Sequence, residues 1–127
     1  MIIVLDTSAA VELVLQKKRA SNLAEHLADA DMVMAPDLYC SEITNVFWKY
    51  YQFENMTMEQ CEASLEKAML LPDEFVSGKE LYMEAYTMAC LTKGTAYDMF
   101  FLVLARLHNA GLMTIDKKLK GYAAKHL

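Results

Sequence analysis

Four acidic residues could form a chemical site, because each follows a predicted strand or lies in the first turns of a predicted helix. They are Asp6, Glu42, Asp98 and Asp116. Carboxylates that converge repel one another and raise one another's pKa values, and a bound divalent cation removes that conflict. Oxygen ligands select Mg²⁺ or Mn²⁺, whereas zinc prefers histidine and cysteine. If these side chains converge, the chemistry that they predict is divalent-metal binding.

Helix capping is the simplest alternative explanation for three of these acids. Asp is a preferred N-cap residue, and Asp6 and Asp116 could serve in that role alone. Asp98 could complete a capping box with Thr95. Glu42 lies too far inside its predicted helix to cap it, and it borders the apolar face, where acids are seldom buried without a partner. The sequence leaves both explanations open, and only Glu42 resists the simpler one.

Short apolar runs and helical spacing predict the elements that must position these acids. Four strands are predicted, at residues 1–5, 32–35, 73–77 and 112–115, the third of them weak. Apolar residues at helical spacing predict the intervening helices, at residues 9–15, 20–28, 38–52, 57–72, 77–94, 95–109 and from 116 onward. Strands that alternate with helices predict an α/β fold with a parallel sheet.

Two capping boxes and one glycine mark the predicted helix ends. Thr57 with Gln60 and Ser77 with Glu80 have the spacing of capping boxes at helix N-termini. Gly94 suits the C-terminal end of the helix that Ser77 begins. The helix after Thr95 is apolar on all sides over its first two turns, which predicts a central, buried position.

The predicted topology brings two of the acids together without further assumptions. In a parallel sheet Asp6 and Asp116 leave from the same edge, the carboxyl edge at which ligands bind in open α/β sheets. Asp98 opens a helix that runs antiparallel to the strands. It reaches this edge only if residues 95–98 loop over the top of the sheet.

Composition predicts a compact, helix-rich domain over residues 1–127. The chain is 55% hydrophobic and has only 4 glycines and 2 prolines, which argues against disorder. No apolar stretch reaches the roughly 18 residues of a membrane span, and no signal-peptide pattern begins the chain. The three cysteines, Cys40, Cys61 and Cys90, form no CxxC pair. They are predicted to be reduced, mostly buried thiols of a cytoplasmic protein.

The charge balance excludes one class of function. A formal net charge of -5 disfavours a nucleic-acid binder that depends on broad phosphate neutralisation. It is compatible with an enzyme whose acids hold metal ions, because the metal changes the charge of the site. His26, His108 and His126 have no metal-ligand spacing and are predicted to be solvated surface residues.

Four segments together resemble the sequence pattern of PIN-domain ribonucleases, in particular the VapC-type toxins of VapBC toxin–antitoxin pairs. The segments, each with one of the four acids, follow one another in the family's order: Ile3–Ser8, Pro36–Phe47, Tyr97–Ala105 and Leu112–Leu119. The resemblance implies a single PIN domain over residues 1–127. It also implies a three-layer α/β/α fold around a central parallel sheet of four or five strands.

The same resemblance implies a function and a site. Asp6, Glu42, Asp98 and Asp116 would gather around one or two Mg²⁺ or Mn²⁺ ions, with hydrogen-bonding support from Thr114 and from Thr7 or Ser8. The reaction would be metal-assisted hydrolysis of RNA, which needs no His, Ser or Cys nucleophile. A VapB-type antitoxin and homodimerisation are implied as well, and no membrane is involved. The main candidates for gripping RNA are two basic runs, Lys17-Lys18-Arg19 and Lys117-Lys118-Lys120.

A non-catalytic binding protein on the same scaffold is the main alternative. The 10 methionines and 7 tyrosines include residues such as Tyr50 and Tyr51 that, with Phe53, could form an interface patch. Packing in the core or in a dimer is the simpler interpretation of these three. An Asp-nucleophile phosphatase fits less well, because it would have a second Asp where this chain has Ser8.

Overall fold

A four-stranded parallel sheet lies at the centre of the computed structural model, which describes residues 1–127. Its strands are β1 (Ile2–Leu5), β2 (Met32–Pro36), β3 (Glu74–Val76) and β4 (Gly111–Met113), in the order β3-β2-β1-β4. The central strands are almost continuously buried, as apolar strands covered on both faces must be. The sheet has four strands, so the fifth strand that the resemblance allowed is absent.

Seven α-helices cover the sheet. They are α1 (Thr7–Val14), α2 (Ala20–Ala28), α3 (Leu38–Phe53), α4 (Met58–Leu70), α5 (Tyr82–Thr92), α6 (Ala96–Leu107) and α7 (Lys117–His126). Helix α1 contacts α2, α3 and α4, whereas α6 contacts α5, α7 and the strands β1, β2 and β4. The α/β class, the parallel sheet and the three-layer arrangement predicted from the sequence are confirmed.

Helix α6 is the central buried helix, as its sequence predicts. Met99 and every residue of 101–105 are buried, and the helix packs across β1 and β2. The capping box of Thr57 and Gln60 is also confirmed, because both reciprocal hydrogen bonds are present at the start of α4.

The capping box predicted at Ser77 is wrong. Ser77 accepts a hydrogen bond from the amide of Lys79 and begins a 3₁₀ turn over Gly78–Glu80, so α5 starts only at Tyr82. At the other end of α5 the left-handed residue is Lys93, with a φ of 63°, and not Gly94. Gly94 is closely packed, since a Cβ there would lie 2.9 Å from side-chain atoms of Met99 and of Tyr122, which would have to shift.

The histidines and cysteines differ in how well their burial was predicted. The three histidines are exposed, as predicted. Only Cys61 is buried, whereas Cys40 is half-buried and Cys90 is exposed, so the prediction of mostly buried thiols is wrong. Cys90 lies on α5, which exposes apolar side chains such as Tyr86, and an apolar helix therefore did not imply burial here.

The aromatic residues at the end of α3 do not pack in the core. Phe53 is 71% and Tyr51 44% exposed, so core packing is the wrong interpretation for both, and Tyr50 is half-buried. No single helix has the length and apolar character to cross a membrane. Helices α5 and α6 have them only when taken together, and the chain bends by 114° between the two.

Candidate active site

A cavity of about 470 Å³ at the carboxyl edge of the sheet is lined by all four predicted acids. Asp6 follows β1 directly, and Asp116 follows β4 after two residues. Glu42 stands in the second turn of α3, and Asp98 lies in the first turn of α6. The structure thus brings together side chains that are up to 110 positions apart in the sequence. Their assignment as catalytic residues and metal ligands stays a prediction.

The register between β1 and β4 sets the centre of this site. Leu5 pairs with Met113, and the amide of Asp6 donates to the carbonyl of Met113. Asp6, which follows β1, therefore lies beside Thr114, which follows β4. Thr114 donates its hydroxyl proton to Asp6 Oδ2 at 2.6 Å, and both side chains are buried.

Asp6 is also the N-cap of α1. Its Oδ1 accepts hydrogen bonds from the amide of Ala9 at 3.0 Å and from the hydroxyl of Ser8 at 2.8 Å. The capping explanation is thus correct for this residue, but it accounts for only one of the two carboxylate oxygens. Together with the bond from Thr114, three donors fix the orientation of a carboxylate that is 5% exposed.

Ser8 and Thr114 connect this carboxylate to the start of the last helix. Ser8 Oγ accepts from the amide of Ile115, and Thr114 Oγ1 accepts from the amide of Asp116. Asp116 then caps α7, because its Oδ1 accepts from the amide of Leu119 at 2.9 Å. The two hydroxyls predicted to support the site therefore fix the backbone that carries the second Asp.

Glu42 and Asp98 approach the cavity from two different helices. Thr7 donates its hydroxyl proton to Glu42 Oε1 at 2.7 Å, which gives this half-buried acid a hydroxyl partner. Asp98 lines the cavity from the first turn of α6, and α6 follows α5 after a bend of 114°. Thr95 caps α6 by accepting from the amide of Asp98.

The pKa values of three of these acids are raised above their ordinary values. Burial is the main cause for Asp6, Glu42 and Asp98, and hydrogen bonds from Thr114, Thr7 and Thr95 partly oppose it. The negative charge of Asp116 raises the pKa of Asp6 and of Asp98 further. Asp98 and Asp6 do the same for Glu42. The four carboxylates are thus close enough to repel one another, which is the conflict that a cation would relieve.

One further acid in the cavity was not identified from sequence. Glu12 is 6% exposed and lines the same cavity. Its Oε2 accepts a hydrogen bond from the amide of Arg19 at 2.9 Å. Glu12 follows Ser8 by four residues, so the two lie on one face of a helix. This spacing could have identified Glu12 from the sequence. Lys17, Asn45 and Tyr50 also line the cavity.

The donor set of the cavity suits a hard divalent cation. It contains carboxylates and hydroxyls, and it has no histidine or cysteine, which excludes the ligands that zinc prefers. No group of three or more acidic, histidine or cysteine side chains is already arranged to coordinate an ion. Side-chain rotation, for example at the exposed Asp116, is therefore part of any metal binding here.

Comparison with known proteins gives one family and several similar structures. The sequence model of a family described as PIN domain matches residues 3–125. VapC20 of Mycobacterium tuberculosis, a toxin that cleaves the sarcin-ricin loop, superimposes with a TM-score of 0.71 at 14% identity over 94% of each chain. VapBC2 from Rickettsia felis, bound to a DNA fragment from its promoter, gives 0.67 at 20% identity over 95% of this chain and 92% of that one. No curated protein sequence matches the chain.

Proposed function

The chain belongs to the PIN-domain family, and from this premise we propose that it is the toxin of a VapBC-type pair, a metal-dependent endoribonuclease. It hydrolyses RNA phosphodiester bonds at the cavity that Asp6, Glu42, Asp98 and Asp116 line. The observation that carries the proposal is the convergence of four carboxylates in one cavity, against their mutual repulsion. A protein that used this fold only as a binding scaffold would gain nothing from that repulsion.

Mg²⁺ or Mn²⁺ is the proposed cofactor, held by these four acids. Such an ion supplies a bound water of lowered pKa and neutralises the charge that builds on the phosphate. Asp6 and Asp116 are direct ligands in this proposal, because they follow neighbouring strands and Thr114 bonds to both, through the carboxylate of Asp6 and the amide of Asp116. Glu42 and Asp98 complete the ligand set or orient the attacking water.

The surrounding hydroxyls keep the acids ready for this role. A carboxylate that is almost fully buried tends to take up a proton, which would compete with a metal ion. The hydrogen bonds that Thr114 and Ser8 donate favour the ionised form of Asp6, and the bond from Thr7 does the same for Glu42. Hence we propose Thr7, Ser8 and Thr114 as supporting residues that set the charge and orientation of the ligands.

The proposed partners are RNA, a VapB-type antitoxin and a second copy of this chain, in the cytoplasm and away from membranes. The antitoxin follows by analogy with the Rickettsia felis pair, whose toxin and antitoxin bind promoter DNA together. The dimer is supported by the apolar side chains that α5 exposes, among them Tyr82, Met83, Tyr86 and Leu91. An exposed apolar patch of this kind usually marks a protein–protein contact.

Cleavage of RNA by the purified protein tests the proposal. Total bacterial RNA is incubated with wild type in Mg²⁺, in Mn²⁺ and in EDTA, and new 5′ ends are mapped by sequencing. We expect discrete new ends with either metal, none in EDTA, and none with Asp6→Asn, which keeps the helix cap but loses the charge.

A matched control is available at the next strand. Asp37 directly follows β2, and its Oδ1 accepts from the amide of Gly78, but it does not line the cavity. Asp37→Asn should therefore cleave like wild type. Equal cleavage by Asp6→Asn and wild type, or cleavage that persists in EDTA, would contradict the proposal.

A further inference from the structure

One basic side chain lines the acidic cavity, that of Lys17. The other charged residues of the cavity wall are five acids: Asp6, Glu12, Glu42, Asp98 and Asp116. An RNA strand carries a negative charge at every phosphate, so an acidic cavity repels it wherever the charge is not neutralised. Lys17 is the single residue of the cavity wall that would attract a phosphate rather than repel it.

Lys17 forms no ion pair with any of the five acids. The salt bridges of the structure join Arg106 to Glu84 and the N-terminal ammonium to Asp31. Lys17 Nζ instead donates to the hydroxyl oxygen of Tyr50 at 2.6 Å and lies 5.3 Å from the centroid of its ring. A neutral phenol oxygen accepts this bond without neutralising the charge of the ammonium. The ammonium of Lys17 therefore keeps its full charge for a ligand.

The backbone around Lys17 is held in place by a buried acid. Gln16 adopts a left-handed φ of 52° just after α1, which turns the chain back toward the cavity. The amide of Lys17 then donates to the carbonyl of Glu12, and the amide of Arg19 donates to Glu12 Oε2. These bonds explain the burial of Glu12, and they fix the turn that presents Lys17.

The position along α3 indicates which phosphate Lys17 would meet. Tyr50 lies eight residues beyond Glu42 on this helix, about 12 Å along the helix axis at the usual rise per residue. That distance is too long for the phosphate under attack at the four acids, but it suits another phosphate of the same strand.

We propose that Lys17 and Tyr50 form a positioning pair that grips a phosphate of the RNA a few nucleotides away from the cleaved bond. The inference rests on the proposed ribonuclease function and extends it to the placement of the substrate. Lys17 binds the phosphate, Tyr50 holds the ammonium away from the acids, and Glu12 fixes the turn. None of the three takes part in the chemical step, so the pair should affect RNA binding and leave the rate of the bound complex unchanged.

Lys17→Gln and Lys49→Gln are the variants that test this pair. They remove the same charge, but Lys49 is exposed on α3 and does not line the cavity. The substrate is an RNA oligonucleotide that spans a cleavage site mapped with wild type. For Lys17→Gln we expect KM to rise roughly threefold to tenfold, the usual net contribution of one hydrogen bond, with kcat unchanged. Lys49→Gln should resemble wild type.

Salt dependence separates a phosphate contact from a general loss of charge. Binding of the same oligonucleotide is measured in EDTA, where no cleavage is expected, by fluorescence anisotropy over a range of salt concentrations. Each phosphate contact to a single strand contributes about 0.7 to the slope of log K against log salt. Lys17→Gln should lower the slope by about that amount, and Lys17→Arg should restore both the slope and the KM.

A double-mutant cycle tests the role of Tyr50. Tyr50→Phe keeps the ring and removes the hydroxyl, so it should raise KM less than Lys17→Gln does. The double variant should be no worse than Lys17→Gln alone, because residues that act as one unit are not additive. Additive effects would overturn the proposed pair.

The remaining outcomes separate this inference from the proposed function. If wild type cleaves RNA and the two Lys→Gln variants behave alike, the positioning pair is wrong and the ribonuclease function stands. A fall in kcat at unchanged KM for Lys17→Gln would likewise overturn the pair. If wild type neither cleaves nor binds RNA with Mg²⁺ or Mn²⁺, the proposed function is wrong, and this inference is wrong with it.

Discussion

Replacing Thr114 by valine tests how the buried centre of the site is held together. The two side chains have almost the same shape, so the substitution exchanges one hydroxyl for a methyl group and little else. It removes the bond of 2.6 Å that Thr114 donates to Asp6 Oδ2 and the bond of 3.0 Å that it accepts from the amide of Asp116. Thr114 is 5% exposed, and its bond to Asp6 is buried, so water does not readily replace that bond.

The size of the effect follows from these two bonds. A hydrogen bond to a charged group contributes about 1.5–3 kcal/mol, and the amide of Asp116 lies beside an exposed side chain and adds little. We therefore expect Thr114→Val to lower the free energy of unfolding by about 2–3 kcal/mol at pH 7.5. With the entropy of unfolding usual for a chain of this length, Tm should fall by roughly 7–11 °C.

The penalty should depend on pH in a defined direction. The bond from Thr114 lowers the pKa of Asp6, so its loss raises that pKa further. As the pH falls and Asp6 takes up a proton in both proteins, the difference between them should shrink. Urea unfolding at pH 7.5 and pH 5, both in EDTA, measures the two differences.

Thr87→Val is the matched control for this substitution. Thr87 is exposed on α5, and its hydroxyl donates only to the carbonyl of Met83 in its own helix. This control should change stability by no more than about 0.5 kcal/mol. If Thr114→Val costs no more than Thr87→Val, or if its cost is the same at both pH values, the described support of Asp6 is wrong.

Two further substitutions and one titration test other parts of the structure. Because the pKa values of Asp6, Glu42 and Asp98 are raised in the folded protein, the fold binds more protons than the unfolded chain. Its metal-free stability, from urea unfolding, should therefore fall as pH rises from about 4 through the raised pKa values. Asp98→Asn should make that fall smaller, and an unchanged slope would contradict a raised pKa of Asp98 in the folded protein. Leu102→Ala at the centre of α6, where Leu102 is 1% exposed, should cost about 2–5 kcal/mol in the same assay. A cost under about 1 kcal/mol would mean that α6 is not the packed centre.

The sequence predicted the elements whose patterns are strong. Strands β1 and β2 are uninterrupted apolar runs, and α6 is apolar on all sides, so burial left little choice for these segments. Helix α3 was predicted to within one residue at its end because Tyr39, Ile43 and Phe47 recur at helical spacing. The start of α5 was mispredicted because Ser77 can cap either an α-helix or a 3₁₀ turn, and the spacing to Glu80 does not distinguish them.

The site could be predicted only in part, because some of its residues are positioned by contacts between segments that lie far apart in the sequence. Asp6 and Asp116 follow from the parallel sheet alone, because both leave strands at its carboxyl edge. The approach of Asp98 depends on the left-handed Lys93 and on the angle between α5 and α6, which no local pattern specifies. Glu12 and Lys17 were missed as members of the cavity because their roles come from a turn after α1 and from Tyr50, more than thirty residues away.

The stability of wild type, Asp6→Asn and Asp37→Asn in EDTA, Mg²⁺ and Mn²⁺ tests the central claim most directly. A ligand that binds only the folded state at 100 times its Kd stabilises it by about 2.7 kcal/mol, which is roughly 10 °C in Tm for this chain. The four-carboxylate proposal predicts a metal-dependent rise in wild type and Asp37→Asn that Asp6→Asn loses. An equal rise in all three proteins, or no rise in any of them at millimolar metal, would contradict a metal site at these acids.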